Sequence, residues 1–146
     1  MALSHDYTLL CEMARPEMGG KFIIIGLFPN GIGAPQIPFP LPVLTFFNAL
    51  KTDSAAAYRF TGKLSQLATG SPVAVAQGMI QTVAPGPVIV PISIQNPKFT
   101  AFGTYTWALE IDGQEEPFVM EFNLAHVPMP QIRFNPGMFP GGMPRQ

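Results

Sequence analysis

Residues 19–50, GGKFIIIGLFPNGIGAPQIPFPLPVLTFFNAL, decide how the rest of the chain is read. The first part, residues 21–28, is apolar at nearly every position. An unbroken apolar run of that length is the pattern of a strand buried on both faces or held at the centre of a sheet. Pro29, Pro35, Pro38, Pro40 and Pro42 follow. Proline fixes φ and removes a backbone donor, so this segment crosses to the next strand in extended, polyproline-like form. Residues 43–50, with Phe46 and Phe47, form that next strand. On this reading residues 21–28 anchor the fold and the proline-rich crossing is a contact surface.

Working outward, the flanking segments repeat one pattern. Tyr7, Leu9, Cys11 and Met13 share one face of a first strand, and the glycines and proline of residues 15–20 turn it back. Tyr58, Phe60 and Leu64 alternate with Arg59, Thr61 and Lys63, as in a half-buried strand. Residues 73–80 form a strand of small side chains in which Gly78 marks a bulge or the close approach of another backbone. Val88, Val90, Ile92 and Ile94 alternate with Pro91 on the opposite phase, which places that strand at an edge or a bulge. Tyr105, Trp107, Leu109 and Ile111 give the cleanest alternation, Asp112-Gly113 signals a turn, and Phe118, Met120, Phe122 and Leu124 alternate again. No window sustains a 3.6-residue period with caps. The fold class that follows is all-β: a two-sheet β-sandwich, Ig-like or C2-like, of about eight strands with almost no helix.

Residues 1–126 make up this sandwich domain, and residues 127–146 follow as an extended C-terminal arm. The arm holds five prolines, three methionines and no acidic residue. Ile132, Phe134, Met138 and Phe139 are too apolar for a solvating tail, so the arm is read as lying across its own domain or a neighbour's.

Composition narrows the partners. The chain has 146 residues, room for one domain with a full core. Charged residues are 12%, against about 25% in ordinary soluble domains. Net charge is −1 and the eight Lys and Arg are scattered, which gives no electrostatic basis for binding nucleic acid or an anionic membrane. Residues 64–97 carry no charge at all. Either a partner or further copies cover part of this surface, or Gln, Ser and Thr keep it wet; low net charge favours association. Cys11 is the single cysteine, so no intramolecular disulfide forms. The N-terminus lacks the basic and apolar regions of a signal peptide, and no run reaches about 18 apolar residues. The expected location is the cytoplasm, or a virion or other particle assembled from it.

The inventory for chemistry is thin. His5 and His126 stand at opposite ends of the domain sequence without an adjacent acidic pair. Cys11 shares phase with Leu9 and Met13 and reads as core rather than nucleophile. Glu110, Asp112, Glu115, Glu116 and Glu121 bracket the last hairpin without the spacing of a defined calcium loop. Gly26, Gly31 and Gly33 precede no helix whose N-terminus would meet a phosphate. Tyr58, Tyr105 and Trp107 would stack a sugar only if exposed, and the phase of the last two places them in the core. No catalytic, cofactor-binding or metal-binding residue is therefore expected, and no cofactor. The residues expected to bind a partner are Pro35, Ile37, Phe39 and Leu41 in the crossing, and Ile132, Phe134, Met138 and Phe139 in the arm.

Several segments, taken in order, resemble a small bacterial β-sandwich family known only as a domain of unknown function. They are Leu10-Cys11-Glu12, the glycine-lysine strand of residues 20–28, Ile37-Pro38-Phe39-Pro40-Leu41-Pro42, and Phe102-Gly103-Thr104-Tyr105 leading to Ile111-Asp112-Gly113. The resemblance covers residues 8–124. It implies a two-sheet sandwich and carries no established activity or catalytic residues. The low charge and the added arm depart from that family and point towards use inside an assembly.

The function expected is a non-enzymatic structural or interaction subunit, packing into a larger assembly through uncharged sandwich surfaces and the arm. A virion decoration or accessory protein is one form of this. The alternative is a ligand-binding sandwich module, taking carbohydrate or calcium at the loops near Asp112.

Overall fold

Alternating apolar and polar side chains, punctuated by glycine and proline, fold here into strands alone. A computed structural model describes residues 2–128, and among them there are nine strands and no helix. They are β1 (Leu3–Pro16), β2 (Phe22–Leu27), β3 (Ile32–Ala34), β4 (Val43–Thr52), β5 (Ala57–Gln66), β6 (Pro72–Gln81), β7 (Gly86–Gln95), β8 (Gly103–Ile111) and β9 (Phe118–His126). Two sheets form, in the orders β2-β1-β4-β7 and β3-β9-β8-β5-β6. The expected two-sheet sandwich is present, and its core lies between the sheets.

The strand at the centre is β4, not the apolar run of residues 21–28. It lies between β1 and β7, and every residue from Leu44 to Leu50 is buried. Leu44, Phe46 and Leu50 join Leu10, Ile92 and Ile94 on the inner face of the first sheet. Tyr105, Trp107, Leu109, Ile111, Phe122 and Leu124 face them from the second, which bears out the core placement of Tyr105 and Trp107. The Phe46 and Trp107 rings stack at 4.0 Å and 4°, bridging the two sheets. Gly62 makes room for the indole: a Cβ there would stand 2.2 Å from the Trp107 ring.

The β1–β2 hairpin explains why residues 21–28 misled. β1 pairs with β4 from Leu3 to Cys11 and with β2 from Cys11 to Pro16. Pro16 is paired with Phe22, and Leu9 with Phe47. In a straight sheet Phe22 and Phe47 would therefore stand roughly 23 Å apart along the strands. Their rings are instead 5.3 Å apart at 84°. The hairpin has folded back over the outer face of β4. Gly26, at φ +65°, supplies the kink, and the Glu12 side chain lies where a Cβ of residue 26 would be. The inward row of the hairpin, Phe22 and Ile24, is half-buried on Phe47 and its neighbours. The outward row, Ile23, Ile25 and Leu27, is 40–50% exposed. The run is thus apolar on both faces, but only one face is covered.

Three further differences have local causes. Tyr7, Leu9, Cys11 and Met13 do share a face, but it is the outer one; the core takes Leu3 and Leu10, and the register shifts between His5 and Tyr7. Cys11 is nevertheless fully buried, under the folded hairpin. β3 arises inside the expected crossing: Ile32 and Ala34 are buried and pair in parallel with Leu124 and His126. Gly31, at φ +97°, brings the chain so close to the Asn123 carbonyl that a Cβ would stand 2.5 Å from it. The close neighbour of Gly78 is the Phe60 ring, where a Cβ would stand 2.8 Å away, rather than another backbone. Pro91 lies, as expected, on an edge strand, β7.

Candidate functional site

Residues 35–42 run outside any strand from β3 to β4. Leu41 is buried in the core, and Ile37 and Phe39 pack half-buried against it. Pro35 is also half-buried, while Gln36, Pro38, Pro40 and Pro42 face outward. The crossing therefore holds its large apolar side chains inward and presents a rim of prolines. Beside that rim a groove of about 500 Å³ runs between Phe39–Pro42 and Asn96–Lys98. Ile132, Phe134, Met138 and Phe139 lie outside the described residues. The chain enters the arm beside β3, where the Val127 N–H donates to the Ala34 carbonyl at 2.9 Å.

A second surface was not singled out in the sequence. Tyr7, Met13, Ile23, Ile25 and Leu27 are exposed large apolar side chains, and all belong to β1 and β2. Met13 is paired with Ile25, between Ile23 and Leu27 on the same row of β2, while Tyr7 lies further back on β1, opposite Ala49 of β4. Sequence alternation alone could have flagged them, because two consecutive apolar phases in one strand need two covers. Around the base of this hairpin lies a hollow of about 650 Å³, between Leu9, Leu27 and Phe28 on one side and Met120–Asn123 on the other. Glu121 is its one ionisable side chain.

The interior holds one polar assembly that sequence reading passed over. Asn48 is fully buried in β4. Its Nδ2 donates to the carbonyls of Phe46 (3.0 Å) and Val90 (2.9 Å). Its Oδ1 accepts from the Thr8 hydroxyl (3.0 Å) and from Trp107 Nε1 (3.2 Å). All four hydrogen-bonding positions of the amide are used. Because Thr8 donates to Asn48, the His5 Nε2–H donates to Thr8, at 2.8 Å. His5 also stacks on Phe118 at 5.3 Å. This chain of bonds ties β1, β4 and β7 to β8 and so joins the sheets.

The residues considered for chemistry are dispersed. His126 ends the strand that begins at Phe118, so the histidines stand about 26 Å apart along it. Among the described residues, the ring contact His126 makes is with the edge of Phe102. The Cys11 thiol donates to the Thr45 carbonyl at 3.7 Å, and burial pushes its pKa up, the opposite of what activates a nucleophile. Burial likewise raises Tyr105, partly offset by its hydroxyl donating to the Ala101 carbonyl at 2.6 Å. Tyr58, Tyr105 and Trp107 are all interior and present no open ring face to a sugar. Glu110 pairs with Lys63 at 2.9 Å on the outer face. Among the described residues no three His, Cys, Asp or Glu side chains are grouped to hold a metal ion.

Residues 6–120 match a family model described as Family of unknown function (DUF6941), and the chain belongs to that family. The resemblance to a β-sandwich family without known activity is thereby borne out. No curated protein matches the chain in sequence. Two solved structures contain a distantly similar region. One is a beta-glucosidase from Listeria innocua in complex with glucose, at 15% identity and a TM-score of 0.42, covering 66% of this chain and 15% of that one. The other is the Parabacteroides merdae beta-glucuronidase, at 14% identity and a TM-score of 0.39, covering 85% and 13%. The chain thus spans a small fraction of the length of either protein.

Proposed function

From membership in that family as a premise, we propose that the chain is a non-enzymatic interaction subunit that docks on other protein subunits in the cytoplasm, with a virion or similar particle as one such assembly. The observation that carries the reading is the bare outer face of the β1–β2 hairpin, where Met13, Ile23, Ile25 and Leu27 stand exposed on paired strands. A contiguous apolar patch rimmed by polar residues is characteristic of a protein-contact surface. Charge at only 12% of residues supports the same reading, because little opposes close approach of another uncharged surface. The proline rim of residues 35–42 and the arm of residues 127–146 extend the contact.

Association of the full chain, followed by analytical ultracentrifugation and by incorporation into the native particle, tests this. Ile23→Lys with Ile25→Lys, and separately deletion of residues 128–146, are expected to abolish incorporation at an unchanged melting temperature. Incorporation at the wild-type level by both variants would refute the reading.

A further inference from the structure

Every strand that ends a sheet leaves a row of unpaired backbone donors and acceptors, and proteins normally blunt such rows. Three of the four described edges here are blunted. β7 carries Pro87 and Pro91, which lack a donor and must turn their nitrogens to the open side. β3 is three residues long. β2 is six residues long and kinked at Gly26.

β6 is blunted only at its start, by Pro72 and by a bulge at Val73 where the register with β5 shifts. From Ala74 to Gln81 it pairs in unbroken register with β5 alone among the described strands and contains neither proline nor charge. Its outer row is Val75, Gln77, Met79 and Gln81, with Val75 and Met79 57% and 58% exposed, whereas Val73 packs against the core. Its inner row is Ala74, Ala76, Gly78 and Ile80, small enough to sit flat at the sandwich rim.

We propose that β6 pairs antiparallel with β6 of a second copy, joining the two β3-β9-β8-β5-β6 sheets into one across a two-fold axis at Gln77. This rests on the reading of the chain as an assembly subunit and names one of its contacts. The occupant follows from hydrogen-bond complementarity. An open edge is completed by another strand with free donors and acceptors, and among the described residues the Ala74–Gln81 stretch of β6 is the one left unblunted. The arm, with five prolines in residues 127–146, lacks the run of donors needed to serve instead. The register is self-consistent: an axis at Gln77 sets Val75 opposite Met79 and Ala76 opposite Gly78, and no charge meets its like. Val83, exposed in the loop just beyond the strand, widens the contact.

The full chain is the material for the test, using light scattering and sedimentation. The wild type is expected to dimerise, and Gln77→Lys and Gln77→Glu each to weaken the dimer by about tenfold, because like charges then meet on the axis. Mixing the two variants is expected to restore it. Amide exchange adds a second reading: alternate β6 amides become protected only in the dimer. A wild type that stays monomeric at about 0.1 mM overturns the proposal. So does a dimer indifferent to Gln77→Lys, and that result leaves the hairpin-mediated contact standing. Loss of association in Ile23→Lys/Ile25→Lys alone identifies the hairpin as the sole contact and likewise refutes β6 pairing.

Discussion

Phe22 meets Phe47 edge-on at 5.3 Å, although their strand partners, Pro16 and Leu9, are seven positions apart on β1. The contact defines the hairpin as a cover lying on β4 rather than as an extension of the sheet. It accounts for the full burial of Thr45 and Cys11 on a face that sandwiches usually leave to solvent. The Thr45 hydroxyl donates to the Glu12 carbonyl at 3.0 Å and shares a 2.8 Å bond with Ser93, so the polar atoms under the cover are paired.

Cys11 reports on that cover. Its thiol is buried and its pKa raised, so labelling by a disulfide reagent requires the hairpin to lift. Removing the Phe22 ring costs about 1–2 kcal/mol of hairpin docking. Phe22→Ala is therefore expected to speed Cys11 labelling roughly tenfold under native conditions. Equal rates in the two proteins would show that Cys11 is reached without the hairpin opening.

Asn48 holds the two sheets in register through Trp107. Asn48→Ala strands the indole N–H, the Thr8 hydroxyl and two carbonyls in the interior, at about 2–4 kcal/mol by urea denaturation. A double-mutant cycle with Trp107→Phe is expected to recover part of that loss, since one orphaned donor disappears with the indole. Strict additivity would mean that the bond contributes nothing.

Gly62 is needed for space rather than for backbone freedom, since its φ lies outside the left-handed region. Gly62→Ala drives a methyl group into Trp107 at the centre of the core. The expected loss is about 1–3 kcal/mol, with a shifted tryptophan emission maximum because the indole moves off Phe46. Wild-type stability and an unchanged spectrum would contradict the packing described.

Asp53 makes stability sensitive to acid. The Ala2 N–H donates to its Oδ1 at 2.9 Å and the Ser54 hydroxyl at 3.0 Å; the backbone bond first, then the serine, hold the carboxyl below its usual range. A pKa lower in the folded than in the unfolded chain contributes stability that is fully present above the unfolded value, about 3.9, and is lost as pH falls through the folded one. The melting temperature of the wild type is expected to drop more steeply below about pH 4 than that of Asp53→Asn. Parallel curves would remove Asp53 from the acid response.

Alternation made most of the sandwich legible. Tyr105, Trp107, Leu109 and Ile111 declare their face because Thr106, Ala108 and Glu110 intervene, and Pro91 declares an edge because a central strand cannot spare its donor. The β1–β2 fold-back was hidden, because one glycine inside an apolar run does not reveal a positive φ, and burial by a hairpin looks in sequence like burial by two sheets. β3 was hidden by its length: three residues carry no period. The role of Asn48 was hidden because three of its four partners lie on β1, β7 and β8, and nothing local to β4 specifies those three. The crossing residues Ile37, Phe39 and Leu41 were legible as apolar and extended, but not as facing inward.

The short parallel pairing of β3 with β9 constrains the order of events during synthesis. Ile32 emerges early from the ribosome, but its partner Leu124 is among the last of the described residues to appear. β9 lies between β3 and β8, so until it arrives the second sheet is split and the apolar rows around Ile32 and Tyr105 have no lid. A pairing between such distant parts of the chain closes slowly. The nascent chain thus carries an open interior through most of its translation. A premature stop before β9 therefore yields an aggregating fragment rather than a smaller sandwich.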